Sequence, residues 1–251
     1  MRLDQFAREM ARPLGLKGHQ KRTELVPSIT MEHELRVESP LEALTARALD
    51  IDPRVTLIRP QPFTLRLDLL EVFPTKKEAM AAYPPVPRRD EREEPDDVYV
   101  YTPDLLAAAT ASEVVLECKT AQELAWLPET TVEQWSAALA AVGYPFQVIV
   151  DTDIDFPGLQ ENLIRVRDAM RALSVRGPSV LAPLMQVLGS WRGPLTVAAL
   201  EQTGIQQSTI LMGIAGGALG CDLRAGPLGP TTVLWPTYGD LQHLQILTLK
   251  F

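Results

Sequence analysis

Three side chains near the middle of the chain have the types and spacing to hydrolyse a phosphodiester. Asp104, in Y-T-P-D-L-L, stands thirteen residues before Glu117, the first acid of V-V-L-E-C-K, and Lys119 follows two residues later. On a strand, side chains alternate between faces, so Glu117 and Lys119 emerge together while Val114, Leu116 and Cys118 point into the core. If the run ending at Asp104 is the neighbouring strand of a hairpin, its carboxylate arrives beside Glu117. Two hard oxygen donors are what Mg²⁺ requires. Cleavage at neutral pH needs a nucleophile and relief of charge on the phosphoryl oxygens, and bound Mg²⁺, or Mn²⁺ in its place, supplies both. Asp104 and Glu117 are then the expected metal ligands, with the backbone carbonyl of Cys118 as a neutral third. Lys119 orients a metal-bound water or offsets phosphate charge. A blander reading stands beside this one: a lone E-x-K on a strand is commonly a solvated face with a weak ion pair.

The elements that must position these groups are legible in outline. Ser39-Pro40-Leu41-Glu42 opens a helix, with Ser39 as N-cap, Pro40 at the first helical position and Leu41, Leu44, Ala48 and Leu49 at helical spacing up to Asp50. Glu42 has two readings. It closes a capping box with Ser39, or it is a further acid of the metal site, presented by a helix that packs over the hairpin. Residues 55–70 contain one or two strands interrupted by Pro60 and Pro62. Residues 71–97 read as a mobile insertion, a short K-K-E-A-M-A-A-Y helix followed by a Pro- and charge-rich loop. V-Y-V-Y then resumes as a strand that delivers Asp104. A helix over 130–142 stops at Gly143, F-Q-V-I-V is a buried strand, and a second amphipathic helix runs over 159–173.

Three units follow: a helix and arm over 1–30, an α/β unit with a mixed sheet over 31–176, and a C-terminal unit over 177–251 entered at Gly177-Pro178. The C-terminal unit shows three helical runs and two candidate strands, C-D-L-R-A and T-T-V-L-W, the pattern of a winged helix-turn-helix. Its third helix, the one such a fold would lay on DNA, carries no Lys or Arg. Base-edge contacts through Gln206, Gln207 or Ser208 are conceivable, but with the positive charge missing a docking or structural role is favoured.

The net charge is −8, of which +3 falls in 1–30 and none in 177–251, leaving −11 between them. An acidic body suits a metal site but opposes autonomous non-specific DNA binding, which is driven by phosphate neutralisation. The expectation is that partners deliver the DNA. No apolar leader or membrane-length run is present, so a cytoplasmic protein with no membrane partner is expected. Cys118 and Cys221 have no metal-ligand spacing and are expected to be buried thiols. His33 has no evident partner and is not counted as a ligand.

The collinear series S-P-L-E-A-L, D-I-D-P-R-V, I-R-P-Q-P-F, Y-T-P-D-L-L, V-V-L-E-C-K, G-Y-P-F-Q-V-I-V-D-T-D-I, E-N-L, G-C-D-L and P-L-G-P-T-T-V-L covers about 37–236. In this order it resembles TnsA, the endonuclease subunit of heteromeric transposases and a member of the PD-(D/E)xK superfamily. The resemblance implies a restriction-endonuclease-like core followed by a winged-helix domain. It implies Glu42, Asp104, Glu117 and Lys119 as the catalytic set, and nicking of the non-transferred strand at transposon ends. The implied partners are DNA, a DDE transposase and an AAA+ ATPase regulator, in a bacterial, nucleoid-associated setting. Two other readings stay open: a stand-alone restriction, phage-processing or repair nuclease of the same fold, and an assembly adaptor that has lost the chemistry.

Overall fold

A computed structural model describes residues 23–84, 86, 99–192 and 195–251, so the expected N-terminal helix, the G-L-K-G-H-Q-K-R arm and most of the charged loop before Val100 lie outside the described residues. The strands in chain order are β1 (Glu24–Pro27), β2 (Glu34–Val37), β3 (Leu57–Pro60), β4 (Thr64–Arg66), β5 (Glu71–Phe73), β6 (Val100–Tyr101), β7 (Leu105–Ala108), β8 (Glu113–Lys119), β9 (Phe146–Val150), β10 (Leu219–Gly220) and β11 (Trp235–Pro236). The α-helices are α1 (Pro40–Ile51), α2 (Lys76–Ala81), α3 (Ala121–Trp126), α4 (Glu129–Ala141), α5 (Asp151–Ile154), α6 (Leu159–Arg176), α7 (Ala182–Ser190), α8 (Val197–Gln202) and α9 (Gln207–Ala215). The class is mixed α and β.

A four-stranded mixed sheet of order β3-β7-β8-β9 lies at the centre, antiparallel except where β9 runs parallel to β8. Both faces are covered, which is why β7 and β8 read as nearly continuous apolar runs and not as simple alternation. Leu105, Val114, Leu116, Cys118 and Ile149 share one cluster with α1, which packs on one face of the sheet, and with α6, which packs on α1. Leu106, Ala108 and Val115 meet Trp135, Ala138 and Leu139 of α4, with Leu65 and Tyr101 of a second sheet ordered β5-β4-β6, on the other. Helix α1 starts as its sequence dictates: Ser39 Oγ accepts the Glu42 N–H at 3.1 Å, and Pro40 needs no donor there. Helix α4 ends where Gly143 takes a left-handed φ of 88°.

Several expectations change at this level. The last residues of the supposed arm form β1, which pairs with β2 (Glu24↔Val37) because Val26 is fully buried in the main core. The stretch that begins at residue 71 is part of the fold through 84. Val72 pairs with Leu65, and the buried Arg66 guanidinium is held by Asp68 at 2.6–2.7 Å, by the Ala79 carbonyl at 2.9 Å and by the Pro84 carbonyl at 3.0 Å. An arginine is buried only where such acceptors surround it, so this cage fixes 79–84 in place. The hairpin partner of β8 is β7, which begins after Asp104; β6, from the V-Y-V-Y run, belongs to the other sheet.

Gly177, at φ 78°, turns the chain but does not divide the core, which runs unbroken from Val26 through Leu163 and Val166 of α6 to Leu200, Ile210, Leu244 and Leu249. Asn162 of α6 stitches the halves: its amide donates to the Leu223 carbonyl at 2.9 Å and the Gly226 carbonyl at 2.8 Å and accepts the Leu228 N–H at 2.8 Å. Those bonds explain why C-D-L-R-A is not a strand. Its backbone is taken by Asn162 and by an Asp222 turn that accepts the Arg224 N–H, and the ribbon is instead β10 with β11. Asn162→Ala orphans three backbone groups, two of them buried, and should cost about 2 kcal/mol or more in urea unfolding. An unchanged midpoint would show that the stitch carries no stability. Among the described residues, no helix is long and apolar enough to cross a membrane.

Candidate active site

Register places the acids. Leu105 pairs with Leu116, so the residue before β7, Asp104, comes level with Glu117. Asp104 is fixed through its backbone, whose carbonyl accepts the Gln61 N–H at 2.9 Å. Its Oδ2 accepts the Cys118 N–H at 2.8 Å, at the strand end where the ladder leaves that donor to a side chain. Lys119 reaches back over both acids. Its Nζ lies 3.7 Å from Asp104 Oδ2, donates to Glu117 Oε1 in a very close contact, and stands 3.4 Å from the Cys118 carbonyl. One ammonium is therefore surrounded by the two carboxylates and the carbonyl expected as ligands. The face is not the solvated one of the bland reading: the Glu117 residue is 4% exposed and the Asp104 side chain 15%.

Burial decides the protonation balance. Desolvation first, and the nearby Asp104 charge second, push the Glu117 carboxyl up to about 7, while Lys119 and a Tyr101 hydrogen bond oppose them without winning. Burial disfavours the Lys119 ammonium, but Glu117 and Asp104 outweigh it and hold the amine above its ordinary value, so Lys119 is a fixed positive charge and not a neutral base.

Tyr101 was not visible as a site residue. Its hydroxyl donates to Glu117 Oε2 at 2.6 Å, and its ring stacks on Trp135 with centroids 4.5 Å apart and 14° between planes. Burial, then the Glu117 charge, raises the phenol well above its ordinary value, so it stays a donor. It lies on β6 in the other sheet, and no spacing rule links it to Glu117.

Glu42 bonds back to Ser39 at the start of α1, through the hydroxyl and not through the Ser39 N–H that a capping box uses. It is buried; Oε1 accepts from Ser39 Oγ at 2.9 Å and Oε2 from the Glu38 N–H at 2.9 Å. Its helix lies on the Cys118 side of β8, where Cys118 Sγ meets Thr45 Oγ1 at 3.6 Å. Among the described residues, no group of three or more His, Cys, Asp or Glu is arranged to hold a metal ion. The donor set is thus two carboxylates and one carbonyl, which fits a cation that keeps several waters, as Mg²⁺ does. Both cysteines are free and buried, and burial lifts their thiols far above the reactive range, Cys221 to about 12. His33 Nδ1 lies 2.6 Å from the Met31 carbonyl at the surface, away from the acids.

In the C-terminal part, Gln206, Gln207 and Ser208 are exposed at the start of α9, but Ile210 and Met212–Ala215 are buried against α6 and its neighbours. Only the first turn of the helix is open to solvent, and it carries no Lys or Arg. A scan against protein-family models finds no match to the chain, and a search of curated proteins finds none.

Proposed function

We propose that the chain is a Mg²⁺-dependent DNA endonuclease that nicks the non-transferred strand at transposon ends, working beside a DDE transposase and an AAA+ regulator. One observation carries the chemistry: Asp104, Glu117 and the Cys118 carbonyl surround a single cationic position, held in the present geometry by Lys119 Nζ. Asp104 and Glu117 would hold the metal, with the Cys118 carbonyl in support. The metal, when bound, supplies an activated water and charge relief for the phosphoryl oxygens. Lys119 keeps its proton and balances phosphate charge where the DNA backbone enters. The buried Glu42 fixes the start of α1, and its carboxylate is proposed as the outer acid of the set.

The finer fold reading belongs to the same proposal. A hairpin (β7, β8), a parallel strand (β9) and flanking helices (α1, α6) suit a restriction-endonuclease-like core. Helices α7–α9, the β10–β11 ribbon and the Thr196↔Val233 bridge suit a winged helix. With α9 buried and the charge of 177–251 balanced, that part is proposed to dock a protein, and the acidic body leaves DNA delivery to partners. Purified protein with Mg²⁺ and end-bearing DNA should cut little alone and nick one strand at each end once the transposase is added. Efficient unaided cleavage would instead identify a stand-alone nuclease.

The adaptor reading draws on one observation, the lack of a three-residue ligand group among the described residues. Metal titration separates the two: an adaptor gains no thermal stability from Mg²⁺ or Mn²⁺.

A further inference from the structure

We infer that Tyr101 is a positioning residue that sets which divalent cation the Asp104–Glu117 pair accepts, an inference that rests on the metal-dependent reading above. Glu117 has two carboxylate oxygens with different surroundings. Oε2 takes the Tyr101 hydroxyl at 2.6 Å, and Oε1 faces the ammonium of Lys119. With Oε2 tied to Tyr101, Glu117 can offer an incoming cation only Oε1, and that once the Lys119 ammonium yields the position.

The clamp is built to hold. Tyr101 is 5% exposed and pinned in β6 by pairing with Leu65. Its ring lies flat on Trp135, and the Phe146 ring meets its edge at 6.4 Å and 87°. The hydroxyl is thus delivered from a second sheet on a side chain with no rotameric freedom left, which is what a positioning contact needs.

The consequence follows from coordination chemistry. Mg²⁺ demands a near-octahedral shell, short bonds and one oxygen from each carboxylate, whereas Ca²⁺ takes more ligands and readily accepts a carboxylate through both oxygens. With Oε2 committed to Tyr101, two-oxygen binding by Glu117 requires breaking a buried hydrogen bond. Tyr101 therefore disfavours Ca²⁺ at this position while leaving Mg²⁺ binding intact.

The test is the ratio of Mg²⁺ to Ca²⁺ affinity, measured by calorimetry on the full chain without DNA, for wild type and Tyr101→Phe. Phenylalanine keeps the ring on Trp135 and removes only the hydroxyl. Calcium affinity relative to magnesium should rise by about fivefold or more, the worth of one hydrogen bond. A purely structural tyrosine would lower stability and leave the ratio alone, and an unchanged ratio in folded Tyr101→Phe overturns the inference. If that variant does not fold, Trp135→Leu, which removes the supporting ring, should shift the ratio in the same direction, and no shift there overturns it equally. Wild type that binds neither ion defeats the metal-dependent reading itself and this inference with it, an outcome distinct from metal binding with an unmoved ratio.

Discussion

Lys119→Ala should nick DNA about 10²- to 10³-fold more slowly than wild type at saturating Mg²⁺, the usual loss when a preorganised charge facing the reacting phosphate is removed. The physical ground is the position of Nζ. It is the one cation among the site groups described, bracketed by Asp104 and Glu117 and held above its ordinary pKa by both. Removing it leaves two carboxylates at adjacent register positions with nothing between them. A buried charge stripped of its partner costs several kcal/mol unless it is neutralised, so in the variant Glu117 takes up a proton or a cation. Two measurements follow from the same substitution. Single-turnover nicking should fall, and the thermal stability of Lys119→Ala should rise more steeply with Mg²⁺ than that of wild type, because the metal replaces the lost ammonium. Lys119→Arg should recover stability but little cleavage, since a planar fork cannot sit where a point charge does. Undiminished strand scission by Lys119→Ala would show that Lys119 takes no part in cleavage and would reject the assigned site.

How far these residues could be read from the chain differs from one to the next, for physical reasons. The period of two in E-C-K sorts Glu117 and Lys119 from Cys118 on any strand, and that sorting holds in β8. Asp104 beside Glu117 depends on hairpin register. The correct pairing emerges although the strand that carries it, β7, lies after Asp104 and not before. Ser39-Pro40 is a local signal, and α1 begins there. What escaped was non-local. Tyr101 reaches Glu117 from a different sheet, Arg66 recruits carbonyls thirteen to eighteen residues away, and Asn162 takes the backbone of a segment more than sixty residues on, which removes a strand that composition favours. Each is a side chain whose partner is set by packing between elements. The burial of α9 is of the same kind: its apolar run is compatible with a half-exposed helix, and only its packing on α6 shows that Ile210, Met212, Ile214 and Ala215 belong to the core.

Glu117→Gln should abolish the pH dependence that Glu117 imposes on stability. The folded-state carboxyl titrates near 7 because burial and Asp104 disfavour its charge, against an ordinary value of 4.5. A group whose pKa is raised on folding contributes stability that is fully present below its unfolded value and is lost as pH rises through the folded one. For Glu117 that window runs from about 4.5 to about 7, and the loss is about 3 kcal/mol across it. Glutamine cannot ionise, yet its amide oxygen still accepts the Tyr101 hydroxyl. The difference in urea-unfolding free energy between variant and wild type, taken without metal, should therefore move in favour of the variant by about 3 kcal/mol between pH 4.5 and pH 8. Saturating Mg²⁺ should shrink that movement in wild type, because a bound cation favours the same carboxylate that burial opposes, and binding above pH 7 should release fewer protons than binding at pH 6. A wild type that grows more stable than Glu117→Gln as pH rises would mean that Lys119 outweighs burial, and that the pair is a settled ion pair with no free capacity for a metal.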